Sequence, residues 1–360
     1  MIDREEESTL NHAFQRIEPS QIYAKFKAMR IKHPMHEAAV ECFQKLRNRK
    51  IAAPTDEQTA GSLFAGSQSG KTKTVEWYIE QVVVEDWLDA ELLKAANDNE
   101  RNEVEFLRSN GNRKELAKLQ TFAFYVELSG ATNISGLISD FLIALGDPNP
   151  FRGTPKERRF RAEKILAQRG YQIIFLDETQ HIKTQTHAGS ISRQEDATEV
   201  QNTIKRWVKR WPIVFVGTQQ AEEVVFEHQV YTRSEPPIKF GPLHYTVEED
   251  KDIFLKFCGR LSIKIAQSGI LPKRPEILVT GDVPLCLNIA TKGRLGMVTI
   301  VVRAAIECAY AEGKLELERK HLEKGVSDQC LRIGLCSYNP FTNGPIIIPS
   351  KEEYALDKAA

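Results

Sequence analysis

Eight residues constrain this chain more than any others: Ala65-Gly66-Ser67-Gln68-Ser69-Gly70-Lys71-Thr72. They begin at the end of a short strand run at 62–65 and precede helical periodicity from Lys73 onward, so the chain passes from a strand through a glycine-rich turn into a helix. The order is that of the phosphate loop G-x-x-x-x-G-K-[ST], with Ala65 in place of the first glycine and Gly66 beside it to supply backbone freedom. Small residues let successive N–H groups of Gly66, Ser67, Gln68, Ser69 and Gly70 curl around phosphate oxygens. A lysine at position 71 then reaches the β and γ phosphates, and the Thr72 hydroxyl serves magnesium. The first turn of the following helix, Lys73 included, turns its positive dipole end toward the same anion. ATP and Mg2+ are the expected ligands. A glycine-rich turn of this kind also arises without a ligand, but here strand, loop and helix stand in the order that phosphate binding demands.

The pattern of short apolar runs, turn residues and helical periodicity recurs, which is the βαβ signature of a parallel sheet. Residues 122–128 alternate and end at Ser129-Gly130, and 134–145 then carry apolar residues at helical spacing up to Gly146-Asp147-Pro148. Residues 158–169 read as a basic helix with Phe160, Ile165 and Leu166 inward. The runs 173–176 and 213–216 are continuous and apolar, as in strands buried on both faces, and a helix is expected over 200–210 between them.

The polar residues just past those strands are the next candidates, because groups at the C-terminal ends of parallel strands face the ligand crevice. Asp177 and Glu178 end one strand. Such a pair commonly caps a helix, but about a hundred residues after a phosphate loop it fits a metal-shell carboxylate, Asp177, and a water-orienting base, Glu178. Thr218 and Gln219 end the other strand and can contact a terminal phosphate or serve equally as a turn or cap.

Charge sets limits on partners. With 49 basic and 49 acidic residues the chain has no overall attraction to nucleic acid, so any such binding must be local. Eight Lys or Arg fall within 21–50 and seven within 151–170, and a solvated helix face is the plain reading of either. The apolar runs are far shorter than the roughly 20 residues needed to span a bilayer, the first nine residues are acidic and polar, and no membrane association is expected. Six scattered cysteines without a C-x-x-C pair read as reduced thiols of a cytoplasmic protein.

The expected domains are an N-terminal helical segment (1–55), an α/β nucleotide-binding part (56–240) with a charged helical insertion at 85–117, a helical lid (241–325) and an irregular tail (326–360).

Taken together, the loop at 65–72, the segment 173–180, Val216-Gly217-Thr218 and the helical C-terminal part resemble the AAA+ ATPases: an α/β P-loop NTPase fold with a parallel sheet flanked by helices, followed by a smaller helical lid. Within that class Ile31-Lys32-His33-Pro34, Leu145-Gly146-Asp147-Pro148, Asp177-Glu178-Thr179-Gln180-His181 and Gly293-Arg294-Leu295-Gly296 are similar to the TniB and TnsC group of transposition regulators. The resemblance implies ATP-gated assembly on double-stranded DNA as a ring or helical filament, linking a target-selection adaptor protein to a transposase. It also implies Arg233 as a cation reaching a neighbouring subunit's phosphates, Arg294 as a nucleotide contact from the lid, and Arg152, Thr154 and Lys156 as contacts to DNA phosphates. Other readings share the nucleotide residues: a helicase loader or insertion-sequence accessory ATPase, a non-hydrolysing nucleotide-binding scaffold, or a small-molecule kinase.

Overall fold

The computed structural model describes residues 16–130, 133–182, 191–225, 233–349 and 354; the first nine residues and most of the end of the tail lie outside them. In chain order the elements begin with α1 (Pro19–Ala28), α2 (Pro34–Ala52), β1 (Gly61–Phe64) and α3 (Lys71–Tyr78). Next come α4 (Val84–Lys94), α5 (Asp98–Asn110), α6 (Arg113–Leu119), β2 (Ala123–Glu127), α7 (Ile134–Ala144) and α8 (Pro155–Arg169). β3 (Ile173–Asp177), α9 (Ile191–Arg210), β4 (Ile213–Gly217) and α10 (Gln220–Val225) complete the alternating part. Helices alone follow: α11 (Glu248–Gln267), α12 (Val283–Thr291), α13 (Leu295–Ala311), α14 (Arg319–Val326) and α15 (Pro340–Asn343).

Two compact units divide these elements. One comprises Met35–Ala65 and Gly70–Phe240, and the other draws on Met1–Pro34, Gly66–Ser69 and Gly241–Ala360. The cut therefore falls differently from 1–55, since α1 groups with the C-terminal helices while nearly all of α2 groups with the sheet.

In the first unit the strands form a parallel sheet in the order β1-β4-β3-β2. The expected continuous apolar strands are there, and their alternation divides the core in two. Ile174, Leu176, Ile213 and Phe215 pack with α7, α8 and α9 through Phe141, Leu166 and Trp207. Ile173, Phe175, Val214 and Val216 pack on the other face against Phe43 of α2 and Val75 and Tyr78 of α3. Beyond β1 one more stretch runs alongside it: Ala60 bridges Ser234 in parallel, and the Ile238 N–H donates to the Ser62 carbonyl at 3.1 Å.

Helix α3 continues without a break through a π-helical turn, Ile79–Val83, into α4. The charged stretch at 85–117 is helical. α5 begins at Asn97, whose side chain accepts from the Glu100 N–H, and Val84, Leu88 and Leu116 form a small core of their own beneath it. Glu85 pairs with Arg113 at 2.6 Å and Arg108 at 3.2 Å, tying α4 to α5 and α6.

Phe160 corrects the expectation for α8. It is 71% exposed, while Arg158, Ala162 and Leu166, four residues apart, face inward. Arg158 takes the inward place with its two terminal guanidinium nitrogens donating to the Ser139 hydroxyl at 2.8 Å and the Ser135 hydroxyl at 2.5 Å, while its Nε has no hydrogen-bond partner among the described residues.

The second unit is helical among its described residues. Leu261 and Ile265 of α11, Leu287 and Ala290 of α12, Val298, Val301 and Ile306 of α13 and Leu322 of α14 are buried. The tail is held at two points, with Pro340 and Phe341 buried and the Tyr354 hydroxyl donating to Asn288 at 2.6 Å. Among the described residues no single helix is long and apolar enough to cross a membrane. All six cysteines are free, and burial pushes the Cys258 thiol up to about 12.

Candidate nucleotide site

The C-terminal ends of β1, β3 and β4 lie side by side, and the polar residues just past each strand follow from that. Ala65 leaves β1 with its N–H donating to the Gly217 carbonyl of β4 at 3.1 Å. Gln68 and Gly70 adopt left-handed backbone conformations, and Gly70 caps α3. Lys71 donates to the Ala65 carbonyl at 2.6 Å.

Asp177 is buried at the end of β3, where its carboxylate accepts three hydrogen bonds. The Thr72 hydroxyl donates at 2.8 Å and the Tyr125 phenol at 2.9 Å to one oxygen, and the Glu178 N–H donates at 2.8 Å to the other. Thr72 and Asp177, far apart in sequence, are therefore in direct contact, a hydroxyl beside a carboxylate, both of them oxygen ligands of the kind that hard cations take. Tyr125 had no place in the sequence reading. Its signal was a phenol in the middle of a mostly apolar strand, since a hydroxyl removed from water needs a partner. Burial and the Asp177 charge push its pKa far up, so it stays a neutral donor.

Glu178 follows with a left-handed backbone, φ 57°. Its carboxylate accepts from the Gln180 side-chain amide, and the Gln180 oxygen accepts from the Thr218 N–H at 3.1 Å. The Thr218 hydroxyl is buried with no hydrogen-bond partner among the described residues, an orphan that suits a ligand oxygen. Gln219 is exposed at the start of α10, its carbonyl accepting from the Glu222 N–H.

Gly217 makes this arrangement possible. A Cβ there would come within 2.5 Å of the Thr179 hydroxyl and 2.8 Å of the Gln180 oxygen. Replacing Gly217 with Ala is expected to destabilise the chain by about 1–3 kcal/mol, read as a lowered midpoint of urea unfolding with an unchanged slope.

The structure thus brings together Lys71, Thr72, Asp177, Glu178 and, through Gln180, Thr218. Other expected residues lie elsewhere. The Lys73 side chain pairs with Glu76. Arg233 pairs with Glu57 at 3.2 Å, and its carbonyl accepts from the N–H of Ala60, at the opposite end of β1 from Ala65, so it lies away from its own chain's phosphate loop. In the helical unit Arg294 is buried as the residue that leads into α13, and two residues on Gly296 lies so close to the Gln68 backbone that a Cβ would collide with its carbonyl.

The basic stretches are largely consumed by the fold. Arg47 donates to Gln172 and Asp86, Lys45 and Arg49 pair with Glu235, and Lys50 donates to the Pro54 and Arg210 carbonyls. In the second stretch Arg161 binds Asp147 and the carbonyls of Asn149 and Arg152, and Arg169 binds the Leu145 carbonyl. Thr154 caps α8, its N–H donating to Glu157 at 2.8 Å and its hydroxyl at 2.9 Å, which holds that carboxyl below its ordinary range. Arg152 and Lys156 are exposed, with no side-chain partner among the described residues.

A parallel sheet in this order, a phosphate loop after β1 and an acidic pair after β3 define the AAA+ P-loop NTPase fold. Residues 55–225 match the family described as AAA domain. The fold is similar to that of Cdc6p from Pyrobaculum aerophilum, with a TM-score of 0.52 and 13% identity over 87% of this chain and 73% of that one. It is also similar to the Aeropyrum pernix ORC1 protein, solved in complex with DNA, with a TM-score of 0.50 and 16% identity over 86% of this chain and 68% of that one. A search of curated protein sequences gives no match.

Proposed function

We propose that this chain binds and hydrolyses ATP and acts as a DNA-associated AAA+ regulator of transposition, assembling on double-stranded DNA and linking a target-selection adaptor to a transposase. The observation that carries the hydrolytic part is the contact of Thr72 with Asp177 at 2.8 Å beside Glu178 and the orphaned Thr218 hydroxyl. Thr72 and Asp177 are the residues that would hold magnesium, which screens the phosphate charge when bound. Lys71 and the loop N–H groups bind the β and γ phosphates, Thr218 donates to the terminal one, and Glu178 orients the attacking water and accepts its proton. Arg233, turned away from its own loop, serves a neighbouring copy, and Arg294 is a further nucleotide contact; assembly into a ring or filament and turnover are thereby coupled.

The transposition role rests on the resemblance of the motifs at 31–34, 145–148, 177–181 and 293–296. A second reading, another ATPase of DNA metabolism, is favoured by the fold likeness to Cdc6p and ORC1 and would use the same site. Steady-state ATP hydrolysis with and without double-stranded DNA, alongside electron microscopy, tests the shared core. DNA-stimulated turnover with rings or filaments supports it, and turnover indifferent to DNA without assemblies overturns it. Addition of a cognate transposase then separates the two readings.

Arg152 and Lys156 are the cations proposed to meet DNA phosphates, Thr154 holding the turn between them. Replacing both by Ala is expected to weaken DNA binding for all sequences alike and to lessen the slope of log affinity against log salt by about 2, near one per lost phosphate contact. Fluorescence anisotropy across a salt series reads this directly, and an unchanged slope removes them from the interface.

A further inference from the structure

Glu178 sits one residue beyond β3, with a left-handed backbone that departs from the strand direction, so the sheet does not fix its carboxylate. What does hold it is the carboxamide of Gln180. The Thr218 N–H can only donate, so the group it meets at 3.1 Å is the Gln180 oxygen, and the other end must be the NH2 that donates to Glu178. One side chain thus joins the polar ends of β3 and β4. Its oxygen has room only because Gly217 lacks a side chain. Thr179 secures the same turn from below, its buried hydroxyl donating to the Val216 carbonyl at 2.9 Å.

We propose that Gln180 is a positioning residue for hydrolysis, coupling the Glu178 carboxylate to Thr218 so that the water-orienting group and the phosphate-contacting group move as one. The proposal rests on the hydrolytic reading above. Donation by the Gln180 amide narrows the orientations open to the carboxylate before water and phosphate arrive, which raises the fraction of complexes in reacting geometry. Nucleotide binding does not depend on it, because Lys71, Thr72 and the loop backbone lie on a different element.

Two near-isosteric variants of the full chain test this with DNA present. Gln180→Met removes both hydrogen bonds, whereas Gln180→Glu keeps an acceptor for Thr218 and replaces the donor to Glu178 with a second carboxylate, whose charge repels it. If the donor positions Glu178, both variants lose on the order of 10-fold in kcat, with KM for ATP and the affinity for a fluorescent ATP analogue changed less than about 3-fold. A purely structural role predicts instead that Gln180→Met loses thermal stability while its kcat per folded molecule stays at the wild-type value, and that result overturns the proposal. Unchanged kcat in both variants also overturns it. Loss of turnover in Glu178→Gln with full turnover in both Gln180 variants defeats the coupling alone. A wild-type chain that binds ATP without hydrolysing it defeats the hydrolytic reading and the coupling together.

Discussion

Replacing Glu178 with Gln is expected to lower steady-state ATP turnover by roughly 10²–10⁴-fold while leaving ATP binding in place. The substitution preserves size and the capacity to hydrogen-bond, and it removes the one exposed-side carboxylate at the end of β3 that is not already saturated; Asp177 beside it accepts three hydrogen bonds and is buried. Because Lys71 and Thr72 are untouched, affinity for a fluorescent ATP analogue should hold, and, on the function proposed above, ATP-bound assemblies on DNA should persist instead of turning over. Coupled-enzyme kinetics and sedimentation with DNA read the two halves of this outcome. If the variant keeps wild-type turnover, the base lies elsewhere and the assignment of the acidic pair is wrong.

Phe175→Ala is expected to cost about 3–5 kcal/mol in unfolding free energy, a large share of the 5–15 kcal/mol typical of a folded domain. Phe175 is fully buried in the central strand β3, where its ring meets Phe43 at 5.0 Å and Tyr78 at 5.9 Å between centroids, so truncation leaves a void with helices on a rigid sheet around it. Phe160→Ala is the control: a ring 71% exposed should change stability by no more than about 0.5 kcal/mol. Urea unfolding followed by circular dichroism measures both. Equal effects would mean that the packing of β3 has been misjudged.

The chemistry of the site was legible where one residue type has one use. A Gly-Lys-Thr turn after a strand and, about a hundred residues on, an acidic pair after an apolar strand stand out as candidates in that order, and the fold puts Thr72 and Asp177 in contact. The strands were legible for a related reason, since runs such as 213–216 have no polar face to present to water. Less legible was anything settled by a specific partner. Phe160 lost its inward place to Arg158, whose terminal nitrogens are taken up by two serines of α7, and neither serine advertises it in the chain. The cations of α2 read as a patch, yet Glu235, Asp86 and Gln172, remote in sequence, consume several of them. Tyr125 and Gln180 were missed because their roles depend on neighbouring strands brought alongside by the sheet.

The π-helical turn at Ile79–Val83 has a consequence for how this part of the chain tolerates change. A wide turn takes up about one residue more than an α-turn, and one residue is worth about 100° of rotation about a helix axis. Ahead of it, Val75 and Tyr78 address the sheet; beyond it, Val84 and Leu88 address the separate small core with Leu116. A single continuous rod therefore serves two cores on different sides, with the swivel stored as one surplus residue. Removing that residue would keep every helical hydrogen bond available, yet would spin the charged helices α4 to α6 around the rod and bring a different face of them to the outside.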